Sequence, residues 1–256
     1  MRTSLVLTTS FALLGLIATG VYVSGGAEGP GRLGEGKFDK TIQRHVTLRY
    51  LLYLPPEYGE KQARWPMILY LHGGAGRGSD FAKMSWYPLP RLLRESGLDV
   101  PFVILMPQCP EDDIWDSEAL LALVDEITGS HAVDQDRVYL VGYSMGGTGA
   151  WRLALAHPER FAAIAPMSGY ADPARAARLK GVPTWVFHGA KDTLIQPSES
   201  EKMVKALEAA GVDVRFSLDP ERGHAPPSDE EHRQIFEWLL THRRVKQSGK
   251  ADADRP

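Results

Sequence analysis

The chain has 256 residues, of which 43% are hydrophobic and 24% are charged. This length is sufficient for one well-buried core and suits a single α/β domain, so a second domain is not required. The formal net charge is −3 at pH 7, and no run of Lys and Arg is interleaved with aromatic residues. Composition therefore argues against a nucleic-acid partner.

The two ends of the chain differ in composition from the rest. Arg2 precedes an apolar stretch over residues 5–23, and small residues follow up to position 27, a pattern typical of an export signal. The stretch is also close to the ~20 residues that span a bilayer. Residues 1–27 therefore predict either the signal peptide of a secreted or periplasmic protein or an N-terminal membrane anchor, with no other membrane contact. We expect a linker over 28–40, a folded domain over 41–244 and a disordered, polar tail over 245–256.

Short apolar runs alternate with longer amphipathic segments, the pattern of βα units around a mainly parallel sheet. The predicted strands are residues 46–54, 67–72, 102–106, 138–142, 162–167, 184–188 and 214–218. The predicted helices are residues 117–128, 145–156, 197–210 and 228–243. The runs 68–71 and 138–141 are apolar throughout, as expected for central strands that helices cover on both faces. Too few residues separate the fifth and sixth strands for a lid domain, so we expect an open site.

A strand-to-helix turn carries the strongest motif. Gly142-Tyr143-Ser144-Met145-Gly146 fits the pattern G-x-S-x-G between an apolar run and a helical segment. The flanking glycines are needed because a Cβ there would collide with the neighbouring strand and helix, and the turn pushes the serine hydroxyl outward. The motif predicts Ser144 as a nucleophile and the Met145 N–H as an oxyanion donor. The alternative is a Gly-rich turn with an incidental serine.

A second oxyanion donor is expected from the loop after an earlier strand. The segment His72-Gly73-Gly74-Ala75-Gly76 follows the apolar run 67–71 at that place. Glycines let the backbone approach a substrate closely. We predict the Gly74 N–H as the donor and the Ala75 N–H as the alternative.

The general base must be a histidine that reaches the serine hydroxyl, and in this arrangement the acid and then the histidine follow the serine along the chain. The histidines after Ser144 are His157, His188, His224, His232 and His242. Only His224 lies in a loop after the last strand, whereas the others lie at or within regular elements. Asp192, just after the strand 184–188, is the predicted acid that orients His224. Asp172 and Asp219 are weaker candidates.

Three aromatic residues fall on loops at the predicted catalytic edge. Trp86, Tyr87 and Trp115 are predicted to line the substrate pocket, and ordinary packing is the alternative for each. Cys109, the only cysteine, has no base near it in sequence and is interpreted as a small packing residue. The predicted chemistry needs neither a metal ion nor an organic cofactor.

Four blocks of sequence stand out together: LHGGAGRG (71–78), MPQCP (106–110), VGYSMGG (141–147) and FHGAKD (187–192). They resemble the blocks of a known group, the exported esterases of the α/β-hydrolase family related to polyhydroxybutyrate depolymerases and feruloyl esterases. The similarity extends over about residues 41–240. It implies the α/β-hydrolase fold, with a mainly parallel sheet, helices on both faces and no large lid.

The same resemblance implies a function. Ser144, Asp192 and His224 correspond to a catalytic triad that hydrolyses carboxylic esters through an acyl-enzyme. The partner would be a small-molecule or polysaccharide-linked ester, with short-chain acyl or feruloyl groups. Members of the group often have an aromatic residue shortly after the histidine, whereas this chain has Ala225-Pro226, which leaves recognition of the leaving group open.

Two alternatives use the same fold. A serine peptidase of the prolyl oligopeptidase type would use the same triad, but the chain is too short to hold the propeller domain of those enzymes. A non-catalytic binding protein would be expected to lack a triad member, and all three are present here.

Overall fold

The computed structural model describes residues 43–60, 64–95 and 100–244. The predicted leader and linker over 1–40 and the predicted tail over 245–256 lie outside these residues. Every element below belongs to the compact unit that begins at His45. Within the described part of the chain, no helix is long and apolar enough to cross a membrane.

A seven-stranded sheet forms the centre of the fold. Its strands are β1 (Tyr50–Tyr53), β2 (Trp65–Leu71), β3 (Val103–Pro107), β4 (Val133–Tyr143), β5 (Ala163–Met167), β6 (Thr184–Gly189) and β7 (Val214–Asp219). They lie in the order β1-β3-β2-β4-β5-β6-β7. β1 runs antiparallel to β3, and all other neighbours are parallel. The predicted strands and the mainly parallel sheet are confirmed.

The first half of β4 differs from the prediction. The strand begins at Val133, five positions before the predicted start, because Val133 pairs with Trp65 before a shift of register brings Val138 beside Met67. The intervening residues 134–137 are polar or charged, so they do not follow the apolar pattern of a buried strand. Apolar periodicity alone could not extend the strand through them.

The helices are α1 (Phe81–Ser85), α2 (Pro88–Glu95), α3 (Ser117–Ser130), α4 (Met145–Ala156), α5 (Pro197–Ala209) and α6 (Asp229–Leu240). The four predicted helices correspond to α3 to α6. Helices α1 and α2 were not predicted, because segments of five and eight residues are too short to establish a helical period. Between β5 and β6 the chain forms only a 3₁₀ helix, Pro173–Leu179, so the expected absence of a lid there is confirmed.

Helices cover both faces of the sheet. Along β2, Leu69 and Leu71 pack into one buried cluster together with side chains of α3, α4 and α5. Ile68 and Tyr70 point to the opposite face and pack with side chains of α1, α2 and α6. Successive residues of a strand point to opposite faces, so a strand that is buried on both sides must be apolar throughout. This explains the uninterrupted apolar runs in the sequence.

The backbone of the turn between β4 and α4 packs closely on itself and on the ends of β2 and β5. A Cβ at Gly142 would overlap the carbonyl oxygen of Gly146. A Cβ at Gly146 would overlap the carbonyl oxygen of Leu71 at the end of β2, and one at Gly147 would overlap that of Met167 at the end of β5. Backbone cannot rotate away as a flexible side chain can. The close approach therefore requires glycine at these positions.

This contact predicts a large difference between two Gly→Ala substitutions. We expect Gly142→Ala to lower the free energy of unfolding by roughly 2–4 kcal/mol, because the added methyl group forces backbone apart. Gly129→Ala, inside α3, meets no heavy atom within 4 Å. It should raise the stability by about 0.5–1 kcal/mol, since alanine favours helix. Urea unfolding of both variants measures the difference, and equal effects would contradict the packing argument.

Candidate active site

Ser144 occupies a strained position at the start of α4. Its backbone angles are φ 57° and ψ −119°, in a region that residues with a side chain rarely adopt. Such a conformation costs about 1–3 kcal/mol and persists only where the surroundings impose it. The Ser144 N–H donates to the carbonyl of Met167 at 2.9 Å, which ties the turn to β5. The predicted turn geometry is thus present.

The structure brings Ser144, His224 and Asp192 into one line of hydrogen bonds. Ser144 Oγ lies 2.8 Å from His224 Nε2, and His224 Nδ1 lies 2.7 Å from Asp192 Oδ2. An ionised carboxylate can only accept, so Nδ1 carries the proton and donates it to Asp192. Nε2 is then free to accept from the serine hydroxyl. The three residues follow β4, β6 and β7, whose carboxyl ends meet at one edge of the sheet.

The Asp192 carboxylate is buried but well supplied with donors. Its residue is 3% exposed, and Oδ1 accepts from the N–H groups of Leu194 and Ile195, each at 2.9 Å. Burial by itself would raise the pKa of Asp192, but the hydrogen bonds from His224 and from these two backbone groups hold the pKa below its ordinary value. Asp192 is therefore ionised at neutral pH.

His188, one of the histidines that follow Ser144 in the sequence, lies next to the Asp192 carboxylate. Its Nε2–H donates to the Ile195 carbonyl at 2.9 Å and lies 3.2 Å from Asp192 Oδ2. Its Nδ1 accepts from the Ser200 hydroxyl at 2.7 Å. The His188 imidazole thus connects the end of β6 to the loop that carries Asp192 and to α5. The only sequence signal was the spacing of four residues between His188 and Asp192 across a strand end.

The other histidines after Ser144 make contacts away from that residue. His157 ends α4, where its ring lies 3.4 Å from a Glu118 oxygen. His232 is buried, and its Nδ1–H donates to the Ser228 carbonyl at 2.9 Å. His242 packs against the Trp238 ring with centroids 4.6 Å apart. None of these contacts brings an imidazole to the serine.

The two weaker acid candidates also have local partners. Asp172 caps the 3₁₀ helix and accepts from the Ala174 N–H at 3.0 Å. Asp219 accepts from the Glu221 N–H at 2.9 Å and lies 3.4 Å from the Arg222 guanidinium. Turn formation and capping account for both carboxylates.

Gly74 and Met145, the predicted oxyanion donors, both line a pocket of about 380 Å³ beside Ser144. Gly74 is the first residue of a 3₁₀ helix, Gly74–Gly76, and Met145 is the first residue of α4. The N–H groups at the start of a helix have no acceptor within that helix. Both groups are therefore available to an oxygen held beside Ser144.

Two side chains hold the loop that contains Gly74. His72 is buried, and its Nδ1–H donates to the Gly73 carbonyl at 2.7 Å, while its Nε2 accepts from the Cys109 N–H at 3.1 Å. The Tyr87 hydroxyl accepts from the Gly73 N–H at 2.8 Å. Burial lowers the pKa of His72 to about 4, and protonation would break its bond from Cys109.

The predicted pocket aromatics and the cysteine occupy different environments. Trp115 lines the pocket, and its indole N–H donates to the His72 carbonyl at 3.2 Å. Trp86 and Tyr87 are not among the residues that line this pocket: Trp86 is 67% exposed and stacks with Arg94, and the Tyr87 hydroxyl supports the loop. Cys109 is buried, and burial raises its pKa to about 11, so the thiol stays protonated.

The sheet topology and its solved neighbours together define the fold class. A crystal structure of a thermostable esterase matches with a TM-score of 0.63 at 26% identity, covering 78% of this chain and 60% of that one. The chain therefore has the α/β-hydrolase fold. A family model described as "Putative esterase" matches residues 40–210, which is more than half of the 256 residues. The chain belongs to this esterase family, which confirms the resemblance.

Two curated relatives show how far the similarity extends. The "Putative esterase NocK" of Nocardia uniformis subsp. tsuyamanensis is 30% identical over 160 residues, covering 58% of this chain and 46% of that protein. "Feruloyl esterase B" of Thermothelomyces thermophilus is 23% identical over 210 residues, covering 62% of this chain and 69% of that protein. The chain thus spans less than half of the first relative.

Buried histidines predict how stability depends on pH. Burial lowers the pKa of His232, like that of His72, to about 4 from 6.5. Between these pH values the unfolded chain binds protons that the folded chain does not, so the free energy of unfolding should fall as the pH drops from 6.5 to 4. Each histidine contributes on the order of 3 kcal/mol over that range.

His232→Asn tests this dependence, because the asparagine amide can still donate to the Ser228 carbonyl but does not titrate. Urea unfolding between pH 4.5 and 7 should give a slope against pH that is smaller than that of the wild-type protein by up to about one proton. The carboxylates are the same in both proteins, so their titration contributes equally to the two slopes and cancels in the difference. An unchanged slope would contradict the assignment.

Proposed function

We propose that the protein is a serine carboxylesterase that hydrolyses its substrate through an acyl-enzyme. The observation that carries the proposal is the line of hydrogen bonds from Ser144 through His224 to Asp192, with two helix-start N–H groups beside it. Membership of the esterase family supports an ester as the substrate.

The first half of the reaction follows from this geometry. Ser144 Oγ attacks the ester carbonyl carbon, and its proton passes to His224 Nε2. The carbonyl oxygen becomes an oxyanion, which accepts hydrogen bonds from the N–H groups of Gly74 and Met145. Asp192 stabilises the imidazolium. His224 then protonates the departing alkoxide, which leaves as the alcohol.

Water completes the cycle. It attacks the acyl-enzyme carbonyl while His224 Nε2 accepts its proton, and the second tetrahedral intermediate uses the same two N–H groups. Collapse releases the carboxylic acid and returns the proton to Ser144 Oγ. The protein groups involved are the three of the triad and two backbone amides, so the proposed cycle requires no metal ion or cofactor.

The proposed substrates are short-chain acyl esters or feruloyl esters, free or linked to polysaccharide. The named activity of the feruloyl esterase relatives supports the feruloyl group. The apolar stretch over residues 5–23 supports a site of action outside the cytoplasm, as a secreted, periplasmic or membrane-anchored protein.

The first test is hydrolysis of p-nitrophenyl acetate, butyrate and octanoate and of methyl ferulate. We expect Ser144→Ala to lower kcat by about a thousandfold or more, because no other group replaces the nucleophile. Ser168→Ala is the matched control, since Ser168 also follows a strand with a positive φ of 45°. It should retain most of the activity. Full activity of the Ser144→Ala variant would exclude Ser144 as the nucleophile.

A second test concerns the role of Asp192. Asp192→Asn removes the charge that fixes the His224 tautomer, so kcat should fall by roughly a thousandfold while the fold is kept. A fluorophosphonate probe should label Ser144 in the wild-type protein and label it far more slowly in the Asp192→Asn variant.

Turnover of p-nitrophenyl butyrate without turnover of the p-nitroanilide of butyric acid would separate an esterase from a peptidase. Preference for the anilide would favour the peptidase.

A further inference from the structure

Positive charge lines the pocket beside Ser144. Its lining is Gly74, Arg77, Ile114, Trp115, Ser144, Met145, Thr148, Gly149, Arg152, Tyr170 and Ile195. Two of these residues are cationic and none is anionic. The rest of the lining is mostly small or apolar, with Ile114 and Tyr170 about half exposed at the mouth.

Arg152 faces the pocket because of its place on α4. Met145, Thr148, Gly149 and Arg152 follow one another at helical spacing, and all four line the pocket. Arg152 is exposed, and no hydrogen bond or ion pair joins it to another residue of the described ranges. It lies seven residues beyond Met145, or about 10 Å along the helix axis. Its guanidinium can therefore meet a group well beyond the reacting carbonyl.

Arg77 is held close to the oxyanion donors. Its Nε donates to the Met145 sulfur at 2.9 Å, and its Nη2 lies 3.9 Å from the place of a Cβ on Gly74. Thioether sulfur is a weak, uncharged acceptor, so this bond orients the guanidinium without neutralising it. Arg222 and Arg137, in contrast, pair with Glu231 and Asp134. Among the residues that the structure describes, no carboxylate forms an ion pair with Arg77 or Arg152.

We propose that this pocket binds a carboxylate carried by the ester substrate, with Arg152 as its main partner and Arg77 adding positive charge nearer the carbonyl. Guanidinium groups bind carboxylates through charge-assisted and often bidentate hydrogen bonds. The apolar lining would hold the segment between the carboxylate and the reacting ester. The inference rests on the proposed ester hydrolysis and adds a class of substrate to it.

The inference is tested with pairs of esters that differ by one methyl group and one negative charge. On the acyl side, 4-nitrophenyl hydrogen glutarate is compared with 4-nitrophenyl methyl glutarate. On the alcohol side, 4-acetoxybenzoate is compared with its methyl ester. Each ratio of kcat/KM, anionic over neutral, is measured for the wild type and for Arg77→Gln, Arg152→Gln and Arg233→Gln. Arg233 lies on α6, pairs with Glu230 and is outside the pocket lining, so it controls for net charge.

We expect the wild type to prefer the anionic member of at least one pair. The pair that shows the preference identifies whether the acyl side or the alcohol side of the ester enters the pocket. The ratio should fall about tenfold in Arg152→Gln and by less in Arg77→Gln, remain unchanged in Arg233→Gln, and decline with added salt. Hydrolysis of neutral esters without an anionic preference, or a preference that survives both substitutions, would overturn the carboxylate site while leaving the proposed function intact.

A binding measurement separates the two proposals if no ester is turned over. Calorimetric titration of Ser144→Ala with glutarate should show binding that is lost when Arg152→Gln is added. If the wild-type protein hydrolyses no ester, such binding to the Ser144→Ala variant would support the anion site and contradict the proposed hydrolysis. No binding to Ser144→Ala, or equal binding after Arg152→Gln is added, would overturn the anion site.

Discussion

The backbone contact between the Ser144 turn and the ends of β2 and β5 is the constraint on which the site depends. Glycines at 142, 146 and 147 allow this approach, and the approach in turn holds Ser144 in a left-handed conformation. Because β2, β4, β6 and β7 are parallel, the loops that follow them meet at the same edge of the sheet. The loop that contains Gly74 meets Ser144, Asp192 and His224 there for that reason.

The negative and positive charges near Ser144 lie in different environments. The Asp192 carboxylate is buried and fully engaged by His224, by two backbone N–H groups and by the nearby His188, so it acts on the imidazole and does not line the pocket. Arg77 and Arg152 line the pocket, and neither has an ion pair within the described ranges. The buried carboxylate contacts the imidazole, whereas the two guanidinium groups line the pocket, and these contacts do not overlap.

The sequence predicted most of the fold because its signals are local. Uninterrupted apolar runs identified the strands, and helical spacing identified α3 to α6. The prediction missed the start of β4, whose polar residues do not follow the apolar pattern of a buried strand. It also missed α1 and α2, which are too short to show a helical period. It left the places of Trp86 and Tyr87 open, because a loop position on the correct edge does not specify which way a ring points.

By itself the sequence determined the strand and helix pattern, the G-x-S-x-G turn and the order of Ser144, Asp192 and His224 along the chain. These features depend on the conformations of neighbouring residues and on a topology that parallel βα units share. Only the tertiary structure decided that His188 braces Asp192, that Tyr87 holds the loop that contains Gly74, and that Arg77 and Arg152 face one pocket. Those contacts join residues distant in sequence or depend on the path of a loop, and no periodicity or spacing encodes them.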